Sequence, residues 1–276
     1  MSHLFGVPYM GSKTRIALDI LKQLPKGERF VDLFGGGFAM SHAALLTNKY
    51  EKILYNDINP LITNLVKRAI NGEFNYKVFK PKWVSREEFK LNRDKDGYIK
   101  YCWSFGNNGK DYLFGKKIEP FKRAIHNLVV FNEHSDLLPK EIYKHITATN
   151  IHDRRIQSGH YFEKYNKRLK RLQQLERLEQ LNKTIEISNI SYDKYEYQEG
   201  DIVYLDPPYE NTRDYGEKFD SQKFYDWCYS RQYQVWFSSY KISDKRFKLV
   251  FARQQRSTLS ATNNNCMNFE CLYTNK

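Results

Sequence analysis

Long apolar runs are missing from this 276-residue chain. Nothing in it approaches the roughly 20 consecutive apolar residues that a membrane-spanning helix needs, and the opening MSHLFGVPYMGSK holds no signal-peptide core, so the cytoplasm is the expected setting. Cysteine is scarce: Cys102, Cys228, Cys266 and Cys271 are too scattered for a CxxC metal pattern and too few for a disulfide scaffold, so reduced thiols and no bound metal are expected. The dinucleotide fingerprint GxGxxG and the P-loop GxxxxGK[ST] are both absent. So is any endonuclease or helicase motif, and a restriction function would need another chain. Acidic residues are outnumbered, 32 Asp and Glu against 45 Lys and Arg, for a net charge of +13. That surplus suits a polyanion whose counterions are released on binding, which favours nucleic acid. No basic amphipathic helix with an aromatic face points to a membrane surface instead.

With 41% hydrophobic and 16% aromatic residues, the chain has ample material for a packed core. RFVDLFGGGFAMSHAALL reads as strand, tight glycine loop, helix, and EKILYNDINPLITNLVKRAI repeats the format, with Pro60 in the first helical turn where its missing N–H costs nothing. Two successive βα units predict an α/β fold with a parallel, doubly wound sheet. DIVYL and YQVWFSS read as further buried strands, and FKLVFAR with NFECLYT as a closing antiparallel pair around the turn-rich TNNN. Between these blocks the sequence turns polar, basic and aromatic. The expected organisation is a core formed by 1–75 and 183–276, split by an inserted region at 76–182. At the end of the insertion, RLKRLQQLERLEQLN repeats every three residues, with Leu169, Leu172, Leu175, Leu178 and Leu181 in the middle places. That period drifts around a helix of 3.6 residues per turn, so a partly buried helix is expected, not a coiled coil.

The polar residues at the predicted strand ends carry the chemistry. Asp32 and Phe34 precede Gly35, Gly36 and Gly37, where a ligand could approach the backbone closely. Asp57 stands at the next strand end, where an acidic side chain can accept from ribose hydroxyls. Asp206 follows IVYL at the edge where open α/β sheets bind ligands. Pro207 and Pro208 fix the backbone and remove two N–H donors, leaving carbonyl acceptors beside a carboxylate. A carboxylate and a carbonyl together form a pair of acceptors for an exocyclic amino group, and Tyr209 adds a ring on which a nucleobase can stack. In the insertion, Lys110, Lys122, Arg123, Arg154 and Arg155, with His152, are candidate phosphate contacts. Asn107, Asn108 and Arg154 are candidate base readers.

PYMGSK, DLFGGGF, NDIN and DPPY, in that order, resemble the DNA adenine-N6 methyltransferases of the Dam-like, D12 class, including compact stand-alone forms of phage or mobile-element type. The likeness covers the two flanking segments; in the middle, SFGNNGKDYLFGK is only loosely similar. The resemblance implies a Rossmann-like S-adenosylmethionine-dependent methyltransferase core with an inserted target-recognition region. It implies a cofactor site lined by Tyr9, Lys13, Asp32, Phe34, the three glycines, Asp57, Ile58 and Asp206; Trp takes the Tyr9 position in some relatives. Catalysis would fall to Asp206, Pro207, Pro208 and Tyr209, the product would be S-adenosylhomocysteine, and the partner would be double-stranded DNA, with no obligate protein partner and no membrane. The target adenine would flip out of the duplex and receive the methyl group in line, without metal or covalent enzyme intermediate. The same donor–acceptor logic serves cytosine N4 or adenine in RNA. A DNA-binding protein with an inactive core of this type is the reading from another class, and the intact DPPY and NDIN speak against it.

Overall fold

Arg29–Asp32 forms a strand, β1, because Phe30 and Val31 are apolar and β-favouring and the glycines that follow stop the extended run. The computed structural model describes residues 5–75, 79–162, 177, 184–209, 219–256 and 267–276. The tripeptide repeat, apart from Arg177, and the TNNN turn lie outside them.

Two compact units result. The first comprises Met1–Phe5, Lys13–Pro60 and Lys183–Lys276. Its sheet adds β2 (Lys52–Asn56), β3 (Thr184–Ser188), β4 (Asp201–Leu205), β5 (Val235–Ser239), β6 (Lys248–Arg256) and β7 (Met267–Thr274), in the order β3-β2-β1-β4-β5-β7-β6. The first five strands run parallel, and β7 enters antiparallel between β5 and β6. This is a doubly wound, Rossmann-like sheet, as expected; the order reverses between β1 and β4, where such sheets bind ligands. β3 went unread in the sequence. It is an edge strand with both faces partly exposed, so TIEIS lacks the buried apolar run that marked the others.

Helix α1 (Ala17–Gln23) and helix α2 (Ala39–Leu45) belong to this unit. The small residues Ala39, Ser41, Ala43 and Ala44 let α2 bury every side chain it carries. Another helix, Ser221–Tyr229, is capped by Asp220, whose carboxylate accepts from the Lys223 N–H at 3.0 Å. It packs Phe224 and Cys228 against Val31, Val203, Leu205 and Phe237 in the core.

The second unit comprises Gly6–Ser12 and Leu61–Asn182. It holds most of α3 (Pro60–Ile70), then α4 (Arg86–Asn92), α5 (Glu119–Phe131), α6 (Ile142–His145) and α7 (Ile151–Phe162). The Ser85 hydroxyl accepts from the Glu88 N–H and the Glu88 carboxylate from the Ser85 N–H, a reciprocal cap that starts α4. The irregular aromatic spacing is explained by a ring-lined core: Trp83 stacks on Phe114 at 5.4 Å and meets buried Trp103 edge-on at 5.2 Å. No helix among the described residues is long and apolar enough to cross a membrane.

At the amino ends of β1 and β4, Arg29 and Asp201 are register partners joined by two hydrogen bonds, 2.8 and 2.9 Å. Asp201 also accepts from the Gln198 N–H at 2.8 Å and from the Tyr195 hydroxyl. Removing one member of a buried pair leaves the other charge uncompensated, which costs about 3–5 kcal/mol. Arg29→Met should lower the urea midpoint of the protein by a stability of about that size, while Lys22→Met, on an exposed side chain, should stay within about 0.5 kcal/mol. Equal midpoints for the two variants would remove the pair as a determinant of the fold.

Candidate active site

The parallel strands deliver their polar ends to one edge. β1 finishes at Asp32, opposite Tyr55 of β2 and Tyr204 of β4; Asp57 follows β2 and Asp206 follows β4. Asn56 locks this edge with all four of its hydrogen-bonding sites. Its amide donates to the carbonyls of Leu33 and Ile190, both at 2.9 Å, and its oxygen accepts from the Ser188 hydroxyl and the Ile190 N–H.

The glycine loop lies against β2. The Gly35 N–H donates to the Asn56 carbonyl at 2.8 Å, and a Cβ on Gly35 would stand 2.2 Å from the Tyr55 ring, so no side chain fits there. Gly36 takes a φ of 44°. It donates its N–H to Asp57 Oδ2 at 2.8 Å and accepts from the Tyr55 hydroxyl at 2.6 Å. Asp57 Oδ1 accepts from the Asn59 N–H at 2.9 Å. Burial raises the Asp57 pKa, and the two backbone N–H groups restrain the rise. Each carboxylate oxygen keeps a further lone pair for a ligand hydroxyl.

Asp32 is almost fully buried. Its Oδ2 accepts from the Ser41 hydroxyl at 2.7 Å, and its Oδ1 meets no hydrogen-bond partner among the described residues. Burial, opposed by Ser41 and reinforced by Asp206 and Asp57, raises its pKa to about 7. Asp32 Oδ1 is closed off from solvent, so its missing donor is a cost of burial that a proton on the carboxyl relieves.

Beyond β4 the side chains converge. Lys13 Nζ lies 2.8 Å from Asp206 Oδ1 and 3.3 Å from Glu270 Oε1. The Tyr209 hydroxyl lies 3.1 Å from the same Asp206 oxygen and also donates to Glu270. Lys13 Nζ stands 4.7 Å from the Tyr209 ring centroid, and Tyr240 meets that ring edge-on at 4.7 Å. Burial alone would lower the Lys13 pKa, but the carboxylates of Asp206 and Glu270 reverse this and hold it high. Burial raises the Asp206 carboxyl despite the lysine.

Of the remaining expected site residues, Pro207 and Pro208 link Asp206 to Tyr209, and Ile58 is 67% exposed beside Asp57. Phe34 packs on Tyr192 at 5.3 Å and on Phe224 at 5.9 Å. Tyr9 belongs to the second unit, where its ring meets Tyr101 edge-on at 5.0 Å.

Several residues expected at DNA have other duties. Arg154 is buried, and its guanidinium donates to the carbonyls of Val129 and Val130 at the end of α5 and of Ala148 and Thr149, so it caps a helix rather than reading a base. Arg155 and Lys122 are buried as well, Lys122 at 5.8 Å from the Phe114 ring. The Asn108 amide is taken up by its own loop, accepting from the N–H groups of Lys110 and Asp111 and donating to the Asp111 carboxylate. Asn107 is half-buried with a φ of 62°. Lys110, Arg123 and His152 remain exposed. Glu270, Asn56 and Ser41 were missed in the sequence; for Glu270 the signal was a lone carboxylate inside the apolar strand NFECLYT.

A family model described as D12 class N6 adenine-specific DNA methyltransferase matches residues 9–248. The Retron Ec67 DNA adenine methylase of Escherichia coli is 26% identical over 212 residues, which cover 74% of this chain and 63% of that relative. The chain therefore spans a little under two thirds of the relative's length.

Asp32 yields a test of the site's electrostatics. Its folded pKa, about 7, exceeds the ordinary 3.8, so between those values the folded protein holds a proton that the unfolded chain has released. Stability from this group is present at acid pH and is lost as pH rises toward 7. Asp32→Asn should therefore stabilise the protein at pH 8, by at most about 4 kcal/mol, and change little at pH 4. Thermal unfolding at both pH values checks this, and an equal shift at the two would contradict the raised pKa.

Proposed function

The chain belongs to the D12 class of N6 adenine-specific DNA methyltransferases, and from that premise we propose that it moves a methyl group from S-adenosylmethionine to the N6 amino group of adenine in double-stranded DNA. The observation that carries this reading is the Asp206–Pro207–Pro208–Tyr209 run at the carboxyl edge of the sheet, beside the acceptors Asp32 and Asp57.

When bound, S-adenosylmethionine supplies an electrophilic methyl carbon and leaves as S-adenosylhomocysteine. Asp57 is the acceptor offered to its hydroxyl groups beside the close-packed glycine loop, while buried Asp32 acts on the site through its electrostatics. Asp206 accepts one N6 hydrogen and the Pro207 carbonyl the other, which turns the nitrogen lone pair out of the ring plane and toward the methyl carbon. As the N–C bond forms, N6 sheds one of those protons toward Asp206, the nearest base. Tyr209 supplies the face for the flipped base. Base–aromatic stacking is worth about 1–3 kcal/mol, against a flipping cost of a few kcal/mol.

The second unit carries target recognition on this reading. Exposed Lys110, Lys116, Lys117 and Arg123 are suited to phosphate, a contact that positions without specifying sequence. On this reading the protein works in the cytoplasm.

Incubation with methyl-labelled S-adenosylmethionine and unmodified DNA, followed by digestion to nucleosides, tests the proposal. Label is expected in N6-methyladenine; label in N4-methylcytosine would overturn the substrate, and DNA binding without label would overturn the activity. Asp206→Ala should cut the transfer rate on the order of 10²–10³-fold, the scale for one lost transition-state contact, while the salt-sensitive DNA affinity stays within about 3-fold because no phosphate contact is removed. The wild-type rate should fall as pH drops through the raised Asp206 pKa, since a protonated carboxyl accepts less well.

A further inference from the structure

Two donors and two acceptors share one buried cluster at the carboxyl edge. Lys13 Nζ and the Tyr209 hydroxyl both reach Asp206 Oδ1, at 2.8 and 3.1 Å. Both also reach Glu270 Oε1, the lysine at 3.3 Å. The two donors are thus shared between the same pair of oxygens. The Lys13, Asp206 and Glu270 side chains are 10%, 16% and 10% exposed, so water cannot readily substitute for any of them.

Glu270 reaches this place because of the reversed strand. β7 runs antiparallel to β5 and pairs Cys271 with Ser239 at the carboxyl end of β5. The residue before Cys271 therefore sits at the edge where β1, β2 and β4 end. An apolar side chain there would pack without cost, whereas a buried carboxylate is tolerated only with partners. Its partners are the two donors that also hold Asp206.

In the free protein Asp206 Oδ1 is already engaged by an ammonium and a hydroxyl, while Oδ2 meets no hydrogen-bond partner among the described residues. An adenine amino group arriving as a third donor shares one carboxylate with them, and each donor kept on Oδ1 draws charge away from the oxygen it is offered. A hydroxyl has one proton to give and can serve only one acceptor at a time, while an ammonium has three. Each competing donor has its alternative acceptor within reach, and in both cases it is Glu270. We infer that Glu270 is a positioning residue for methyl transfer: it shares the Tyr209 hydroxyl and the Lys13 ammonium, so that these donors draw less on Asp206 while the Tyr209 ring stays fixed for stacking. This rests on the roles proposed above for Asp206 and Tyr209. Glu270 touches neither the base nor the methyl group; it acts through its two neighbours.

The test uses the full chain with Glu270→Gln, Glu270→Asp, Tyr209→Phe and the Glu270→Gln/Tyr209→Phe double variant, measuring kcat, the KM for S-adenosylmethionine and Tm. Glu270→Gln keeps the shape and loses the charge that attracts both donors. It should lower kcat by about 10- to 100-fold with KM within about 3-fold, the pattern of a contact needed in the transition state rather than for binding. Glu270→Asp, which keeps the charge on a shorter arm, should recover part of the rate. Because Glu270 acts through the Tyr209 hydroxyl, the double variant should be little slower than the slower single variant. The inference is overturned if Glu270→Gln turns over within about 2-fold of wild type, if the two losses multiply in the double variant, or if the rate loss merely follows a fall in Tm that Glu270→Asp shares in full. A wild-type protein that puts no label on adenine would remove the function itself. One that does so, alongside an equally active Glu270→Gln, would remove the role of Glu270 alone.

Discussion

Carboxylates taken out of water must be compensated, and at the carboxyl edge of this sheet four of them stand together: Asp32, Asp57, Asp206 and Glu270. Left alone, each would cost several kcal/mol. Their compensation is graded. Asp57 receives two backbone N–H groups, Asp32 a single hydroxyl, and Asp206 and Glu270 divide the Lys13 ammonium and the Tyr209 hydroxyl between them. The grading separates roles. On the proposed reading, capacity is left for a ligand where a lone pair stays accessible, as on Asp57 and Asp206; where burial is complete, as at Asp32, the carboxyl shapes the site through its electrostatics and its hold on Ser41.

Much of the surrounding architecture serves this arrangement. One of the two donors to Asp57 is the Gly36 N–H, which comes close because Gly35 has no side chain to strike the Tyr55 ring. Phe38 follows with a φ of 66°, uncommon for a bulky residue. Its backbone N–H donates to Gly35 and its ring meets Tyr55 edge-on at 5.0 Å, and together these hold it there. Asn56 pins the ends of β1, β2 and β3 at the same edge, and the reversed β7 brings Glu270. At the opposite edge the Arg29–Asp201 pair, joined by Tyr195, Gln198 and Glu186, fixes β1 against β4. One end of the sheet is thus satisfied internally, and the other holds acceptors in reserve.

The parts of this that could be read in the sequence share one property: they depend on neighbours in the chain. β1, β2, β4 and β5 are short apolar runs stopped by glycine, proline or aspartate, and the C-terminal strand pair shows two such runs around a turn. DLFGGGF, NDIN and DPPY place their polar residues at strand ends by the same local logic, so Asp32, Asp57 and Asp206 could be named in advance. What could not be read depends on partners distant in sequence. Glu270 looks like a solvated charge in an edge strand until β7 is known to run backward beside β5. Arg154 looks like a phosphate ligand until the carbonyls ending α5 are seen around its guanidinium. Residue type announces a charge, while only the tertiary structure says whether that charge is already spoken for.

The same distinction bears on how DNA would be held. The count of 45 Lys and Arg overstates the cations available to phosphate, because Arg29, Arg154, Arg155, Lys122 and Lys13 are buried within the protein. On the proposed reading, stacking on Tyr209 contributes about 1–3 kcal/mol, comparable with or smaller than the few kcal/mol needed to extrude a base. On that reading the free energy for extrusion comes from contacts elsewhere along the duplex, for which exposed cations such as Lys110, Lys116, Lys117 and Arg123 of the second unit are the candidates. The first unit would thus be arranged for methyl transfer and the second for holding the distorted duplex, each with the electrostatics its task requires.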